Sequence, residues 1–228
     1  MTTEVRGYVL AGGRSSRMGE NKSEMRLSGS TLLEIAVEKL RRVCREVVVV
    51  GEHAPTVVRV IRDLRPGCGP MGGIEAALRD IDRGSAAFLP VDMPFVPAEL
   101  LERLVGEWVR CDAKIGLLVA DGRVQPLVSL VRCDALSEVA AALEAGEYKV
   151  RPVLERAGRA SGGAVLLEIA TRERGSVWSG WNPGDADWRM RELWFANLNT
   201  PEEFACAERL MEKRPPMVCR RAELHTTS

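Results

Sequence analysis

The stretch Val5-Arg6-Gly7-Tyr8-Val9-Leu10-Ala11-Gly12-Gly13-Arg14-Ser15-Ser16-Arg17-Met18-Gly19-Glu20-Asn21-Lys22 decides how this chain is read. Val5 to Leu10 is a short, mostly apolar strand candidate that runs straight into paired glycines, where a backbone approaches a ligand with no Cβ in the way. Two arginines and a lysine within the next ten residues offer charge to phosphates. A strand ending in such a loop predicts a nucleotide site. It is not a P-loop, which needs Gly-Lys-Ser/Thr contiguous, because Glu20-Asn21 separates Gly19 from Lys22. The plainer alternative, a turn flanked by solvated arginines, does not explain so many phosphate-binding groups in one place.

After the loop, Thr31-Leu32-Leu33-Glu34 has capping-box spacing, and Leu33, Ala36, Val37, Leu40 and Val43 recur at helical intervals, predicting a helix from Leu32 to Cys44. Val47-Val48-Val49-Val50 is β-branched throughout and ends at Gly51, as a strand buried on both faces does. Val58 to Ile61 is a third strand candidate. Gly67-Cys68-Gly69-Pro70-Met71-Gly72-Gly73 opens a helix from Ile74 to Asp80, and Ala86 to Val91 is a further strand ending at Asp92. This alternation predicts a three-layer α/β/α, Rossmann-like fold with a mostly parallel sheet. Such sheets bind ligands beyond the carboxyl ends of their strands, where the opening loop and Asp92 both fall.

Beyond Pro97 the pattern loosens. Helices are expected at Ala98 to Val109, Leu136 to Ala145 and Val150 to Ala157, and strands at Ile115 to Ala120 and Leu127 to Val131. Gly175 to Arg189, with Trp178, Trp181 and Trp188, reads as a long loop; Leu193 to Asn197 reads as a last strand. Thr200 then caps a helix with Pro201 at its first position. Residues 1–214 are expected to form a single domain, with a nucleotide-binding half over 1–97 and an acceptor half over 98–214, before a polar tail at 215–228.

Two motifs carry competing readings. Gly67-x-Gly69-x-x-Gly72 matches a dinucleotide fingerprint, with Asp92 near the distance of a ribose-binding acid. Such a fingerprint belongs in the first βα turn, which the opening loop occupies, and Pro70 removes an amide that would face a pyrophosphate. The cluster therefore reads as a turn serving the first loop's nucleotide. Asp92, at the exit of a buried strand, suits Mg²⁺ shared with substrate phosphates, although a turn aspartate before proline has the same local sequence. Asn199 is open between a turn residue and a metal ligand.

Bulk properties narrow the class. At 228 residues and 46% hydrophobic the chain is large enough for a substantial core. Lysine plus arginine equals aspartate plus glutamate at 32 each, so no global field draws nucleic acid or an anionic membrane. Cys44, Cys68, Cys111, Cys133, Cys206 and Cys219 are scattered, and only His53 and His225 could assist them, which argues against zinc and iron–sulfur sites. No signal-peptide layout or membrane span is visible, and the expected compartment is the reducing cytoplasm.

In order along the chain stand Leu10-Ala11-Gly12-Gly13-x-Ser-x-Arg17-Met18-Gly19-x-x-Lys22, Asp63 with Pro66-Gly67-x-Gly69-Pro70-x-Gly72-Gly73, Asp92-Met93-Pro94, Gln125-Pro126-Leu127 and Asn197-x-Asn199-Thr200-Pro201. Together they resemble the molybdenum cofactor guanylyltransferases, within the nucleotide-diphospho-sugar type of nucleotidyltransferase. The resemblance implies that type of fold, with an antiparallel strand in the sheet, and transfer of GMP from GTP to the phosphate of Mo-molybdopterin with release of pyrophosphate. A phosphate nucleophile is already ionised, so the demand is for positioning and charge neutralisation rather than for a base.

By the same resemblance Leu10, Ala11 and Gly12 meet the guanine and its sugar, Gly13 and Lys22 hold the triphosphate, and Arg17 neutralises the leaving group. Asp92 binds Mg²⁺ with Asn199 as second ligand, and Asp63 contacts the nucleoside. The implied partners are GTP, Mo-molybdopterin and the proteins of cofactor synthesis or the target enzymes. Lys149, Arg151 and Arg156 could meet the pterin phosphate, but read better as a solvated helix face. The chain departs from the family at Asn21, where aspartate is common, and at Gly51, where a polar side chain can contact the nucleoside.

Relatives on this scaffold transfer cytidylyl groups to molybdopterin, sugar phosphates or methylerythritol phosphate, often with Leu-Ala-Ala-Gly in the first loop. A Cβ at the third position would crowd a purine, so Gly12 favours GTP. A nucleotidyltransferase with another phosphorylated acceptor is the alternative, and a non-catalytic nucleotide-binding adaptor is disfavoured by the presence of both Lys22 and Asp92.

Overall fold

The computed structural model of the chain describes residues 4–12, 22–52, 58–160, 163–169 and 190–212. Gly13, Arg17, Asn21, the Gly175–Arg189 stretch and the 215–228 tail lie outside the described residues. The strands are β1 (Val5–Leu10), a small hairpin β2 (Arg26–Leu27) and β3 (Ser30–Thr31), β4 (Val47–Val50), β5 (Arg59–Ile61), β6 (Ser85–Pro90), β7 (Ile115–Ala120), β8 (Arg123–Arg132) and β9 (Ala164–Ile169). The helices are α1 (Leu32–Arg41), α2 (Pro70–Asp80), α3 (Ala98–Arg110), α4 (Leu136–Glu144), α5 (Val150–Ala160) and α6 (Pro201–Glu212).

Seven strands form one sheet in the order β5-β4-β1-β6-β8-β7-β9, with strands from both halves of the chain. Every pairing is parallel except those of β8, which runs antiparallel to β6 and β7. Residues 47–50, 85–90 and 115–120 are buried throughout, the signature of strands covered on both faces. Val9 faces a core built with α1, α3 and α6, whereas Tyr8 and Leu10 face a second core built with α2, α4 and α5. The strand's period-2 alternation therefore splits the helices into two layers around the sheet.

Three sequence expectations change. Leu193–Asn197 is not a strand: residues 191–193 form a 3-10 turn, with the Leu193 amide bonded to the Met190 carbonyl at 2.8 Å and Ala196 to Leu193 at 2.9 Å. The buried residues are Met190, Trp194 and Leu198, four apart rather than alternating, so the segment is anchored by side chains instead of by ladder bonds. Helix α2 starts at Pro70, not Ile74, because proline is at home in a first turn whose amides have no intrahelical partner. The strand expected from Leu127 starts at Arg123, with a bulge: Leu117 faces Ser129 but Leu118 faces Gln125. Strand β9, a parallel edge strand against β7, is an additional element.

At the amino-terminal end of the sheet, Asp80 closes α2 against β1 and β5. It accepts from Tyr8 Oη at 2.7 Å and from both Arg59 terminal nitrogens at 2.6 Å. Arg59, opposed by burial and aided by Tyr8, holds the Asp80 carboxyl below its ordinary value. A depressed carboxylate contributes stability that is complete above about pH 4 and lost as pH falls through its lower folded value. Asp80→Asn should therefore lose about 1–2 kcal/mol at neutral pH, the half-exposed Arg59 pair being discounted for screening. In urea melts that gap to the parent should close as pH falls below the ordinary carboxylate range, and a gap independent of pH contradicts the assignment.

Candidate active site

The site grows from the pairing of β1 with β6. Their parallel register matches Leu10 with Pro90, and the Val91 amide donates to the Leu10 carbonyl at 3.1 Å, continuing the ladder past both strands. Gly12 and Asp92 each lie two residues past that last pair, so the two segments leave the sheet at the same edge from neighbouring strands. On the other side of β1, the Ala11 amide donates to Val50 at 2.9 Å and the Gly51 amide to Ile61 at 3.0 Å. Leu10, Ala11 and Gly12 thus emerge at the carboxyl edge of the sheet between Gly51 and Asp92.

Lys22 opens a short 3-10 turn, Lys22–Glu24, that leads into the β2–β3 hairpin. The hairpin's two-residue turn uses Ser28 at φ 51° and Gly29 at φ 92°, the left-handed pair that a tight hairpin needs. Leu27 is buried, and the Met25 carbonyl accepts from Leu32 at 2.9 Å, so the hairpin is seated on the start of α1. The Thr31–Glu34 capping box is formed in both directions, as its spacing predicted.

Asn199 arrives from the far end of the chain. The Leu198 amide donates to the Asp92 carbonyl at 2.9 Å, pinning this segment to the strand exit. Glu203 then accepts from the amides of Asn199 at 2.6 Å and Thr200 at 3.0 Å, while its own amide donates to Thr200 Oγ1 at 3.2 Å. That is a second capping box, at the start of α6.

The three side chains meet. Lys22 Nζ lies 3.3 Å from Asp92 Oδ2 and donates to Asn199 Oδ1 at 2.5 Å. Lys22 and Asp92 are each 22% exposed, enough for a ligand to reach them and too little for water to screen them fully. Among the described residues no cluster of three His, Cys, Asp or Glu could hold a metal ion. Asp92 and Asn199 offer two hard oxygens side by side, which suits a magnesium-like ion whose remaining ligands are phosphate and water.

Asp63 stands apart, after β5 and two strands from β1. It accepts from the Arg65 amide at 2.8 Å, and burial, with the nearby Glu75 carboxylate adding to it, pushes its carboxyl above the ordinary value. A Cβ on Gly72 would stand 2.3 Å from Asp63 Oδ1, so the carboxylate occupies the space this glycine leaves. Gly67 at φ 92° and Gly69 at φ 60° supply left-handed backbone before Pro70. Each glycine of the apparent dinucleotide fingerprint is accounted for by the turn or by Asp63. Arg151 and Arg156 are paired with Glu155 and Glu147 on exposed surface, the solvated-face reading of those residues.

Residues 7–161 match the MobA-like NTP transferase domain. The chain belongs to the MobA-like NTP transferase family. It is 37% identical over 163 residues to a "Probable molybdenum cofactor guanylyltransferase" of Mycobacterium bovis, covering 68% of this chain and 81% of that protein. It is 32% identical over 210 residues to a protein of the same description from Chloroflexus aggregans, covering 86% and 90%. The crystal structure of molybdopterin-guanine dinucleotide biosynthesis protein A from Archaeoglobus fulgidus superposes with a TM-score of 0.69 at 27% identity, covering 92% of this chain and all of that one. The fold is that of the nucleotidyltransferases. None of the helices among the described residues is long and apolar enough to cross a membrane.

Glu203 is the positioning residue that sequence reading passed over, although Thr200-x-x-Glu203 has the spacing that exposed Thr31–Glu34. Glu203→Ala should lower the melting temperature by about 2–4 °C through loss of the cap, and Glu203→Gln, which keeps an acceptor oxygen, should recover most of it. Identical melting of Glu203→Ala and the parent would contradict this role.

Proposed function

We propose that this family member transfers the guanylyl group of GTP to the terminal phosphate of Mo-molybdopterin, giving the guanine dinucleotide cofactor and pyrophosphate. The observation that carries the reading is the meeting of Lys22, Asp92 and Asn199, from three distant segments, beside the Leu10–Gly12 backbone. In this reading Leu10, Ala11 and Gly12 bind the base and sugar through backbone, and Asp63 accepts from the nucleoside. Gly13 and Lys22 hold the triphosphate, while Arg17 meets the departing pyrophosphate. Asp92, with Asn199, would hold Mg²⁺, which supplies charge neutralisation at the phosphates.

The transfer balances without a general base. An ionised phosphate oxygen of the acceptor forms a bond to the α-phosphorus, the bond from that phosphorus to the bridging oxygen breaks, and pyrophosphate leaves with the electron pair. The chain's work is to align the two phosphates and to offset the charge gathering on the leaving group. Lys22 needs only to exchange its side-chain partners for phosphate oxygens. The β6–β8 ladder ends at Phe88–Ser129, leaving the Asp92 loop without a β8 partner at that edge, and this is where the reading seats the acceptor.

Gly12 supports guanine. Its φ is not left-handed, and among the described residues an added Cβ would meet only the Val50 carbonyl at 3.8 Å, an ordinary contact. Neither its conformation nor packing against the described residues requires glycine there, which supports the ligand as the reason. In calorimetric titrations with Mg²⁺, GTP should bind more tightly than CTP; equal or reversed preference contradicts the reading. Gly12→Ala should weaken GTP by about tenfold or more while leaving CTP nearly unchanged. With GTP and Mo-molybdopterin, Asp92→Ala should slow pyrophosphate release by a factor of about 10² or more, and unaffected turnover would contradict the role of Asp92.

A further inference from the structure

We propose that Lys39 is a positioning residue for the site, a cation that ties the Asp92 loop to the same helix on which the Lys22 hairpin is seated. Lys39 lies on α1 and donates through Nζ to the Pro94 carbonyl and, at 2.6 Å, to the Val96 carbonyl. The loop Asp92-Met93-Pro94-Phe95-Val96-Pro97 contains two prolines and so lacks two backbone donors. Its remaining turns are loose, with Met93 bonded to Pro90 at 3.3 Å and Val96 to Met93 at 3.5 Å. A partly buried ammonium on two of its carbonyls makes charge-assisted bonds in a segment with few others.

The placement gives those bonds a function. Leu32, at the start of α1, holds the Lys22 segment through the Met25 carbonyl. Seven residues along, about 10 Å at helical rise, Lys39 grips the loop that begins at Asp92. Helix α1 thus acts as a spacer between the two groups whose side chains meet at 3.3 Å. The two oxygens that Lys39 grips are main-chain carbonyls of the Asp92 loop, so its hold on that loop is exerted through backbone. The inference rests on Asp92 being the metal carboxylate, and its test separates the two claims.

The experiment compares the parent with Lys39→Met, Lys39→Arg and Asp92→Ala by amide hydrogen exchange and by Mn²⁺ binding in the presence of GTP, read by electron paramagnetic resonance. In Lys39→Met, exchange in the 92–97 peptide should rise by about tenfold or more, while the β4 and α2 peptides keep the parent's protection. Mn²⁺ half-saturation should rise by about tenfold, as for loss of an outer-shell partner of a metal site. Lys39→Arg, which keeps the charge and can still reach the carbonyls, should restore both readouts in part. Unchanged exchange in 92–97, a uniform rise across the sheet, or unchanged Mn²⁺ binding in folded Lys39→Met overturns the proposal. Asp92→Ala provides the separation: if it binds Mn²⁺ as the parent does, the metal role of Asp92 fails, whereas local exchange in Lys39→Met still reports whether the tie exists.

Discussion

The parallel pairing of β1 with β6 is the constraint on which the rest of the site depends. Because the two strands are neighbours in space but far apart in sequence, the backbone after Leu10 and the carboxylate after Val91 leave the sheet side by side. The Val91 amide on the Leu10 carbonyl extends that registry beyond the strands themselves. A one-residue slip in this ladder would turn Tyr8, Val9 and Leu10 to the wrong cores, so burial on both faces enforces the register and with it the neighbouring exits of the Gly12 and Asp92 segments. The precision of the site is thus a by-product of a core that accepts only one pairing.

Around that fixed pair, the other contributors are held by local devices of similar kind. Lys22 precedes a hairpin seated on a capped helix, and Asn199 precedes a helix capped in the same way. In both cases a threonine and a glutamate three residues on satisfy the amides of the first helical turn and stiffen the entry of the functional segment. The result sets an ammonium between a carboxylate and an amide oxygen, an arrangement whose partners are exchangeable. In the proposed function, phosphate oxygens replace those of Asp92 and Asn199 around Lys22, freeing both for a cation. On that proposal the site is one for a ligand that brings negative charge and a metal together.

Most of this was legible from residue patterns. The all-apolar β-branched runs ending at Gly51 and Asp92, and the helical spacing after Thr31, were enough to predict a parallel three-layer sheet. The glycine loop and Asp92 pointed to its carboxyl edge. What escaped had physical reasons. Residues 193–197 look like a strand because they are apolar, but Met190, Trp194 and Leu198 are buried four apart and the amides are satisfied within 3-10 turns. The start of β8 was hidden because Pro126 interrupts the pattern and a bulge absorbs it. Gly72 reads as part of a turn serving the nucleotide loop, and only in space does its missing Cβ prove to make room for the Asp63 carboxylate. Lys39 carries no signal, since a lysine on an amphipathic helix looks solvated until the carbonyls it reaches are known. Gly13 and Arg17 rest on the motif alone, being outside the described residues.

The central claim is that the Gly12 loop, Lys22 and Asp92 act on one guanine nucleotide. A crystal grown with GTP and Mn²⁺ and measured at the manganese absorption edge tests it most directly. The expected result is an anomalous peak at the Asp92 carboxylate, the base against the backbone of Ala11 and Gly12, and Lys22 Nζ moved from Asn199 to a phosphate oxygen. A metal bound away from Asp92, or a base seated elsewhere than the Gly12 loop, would contradict it.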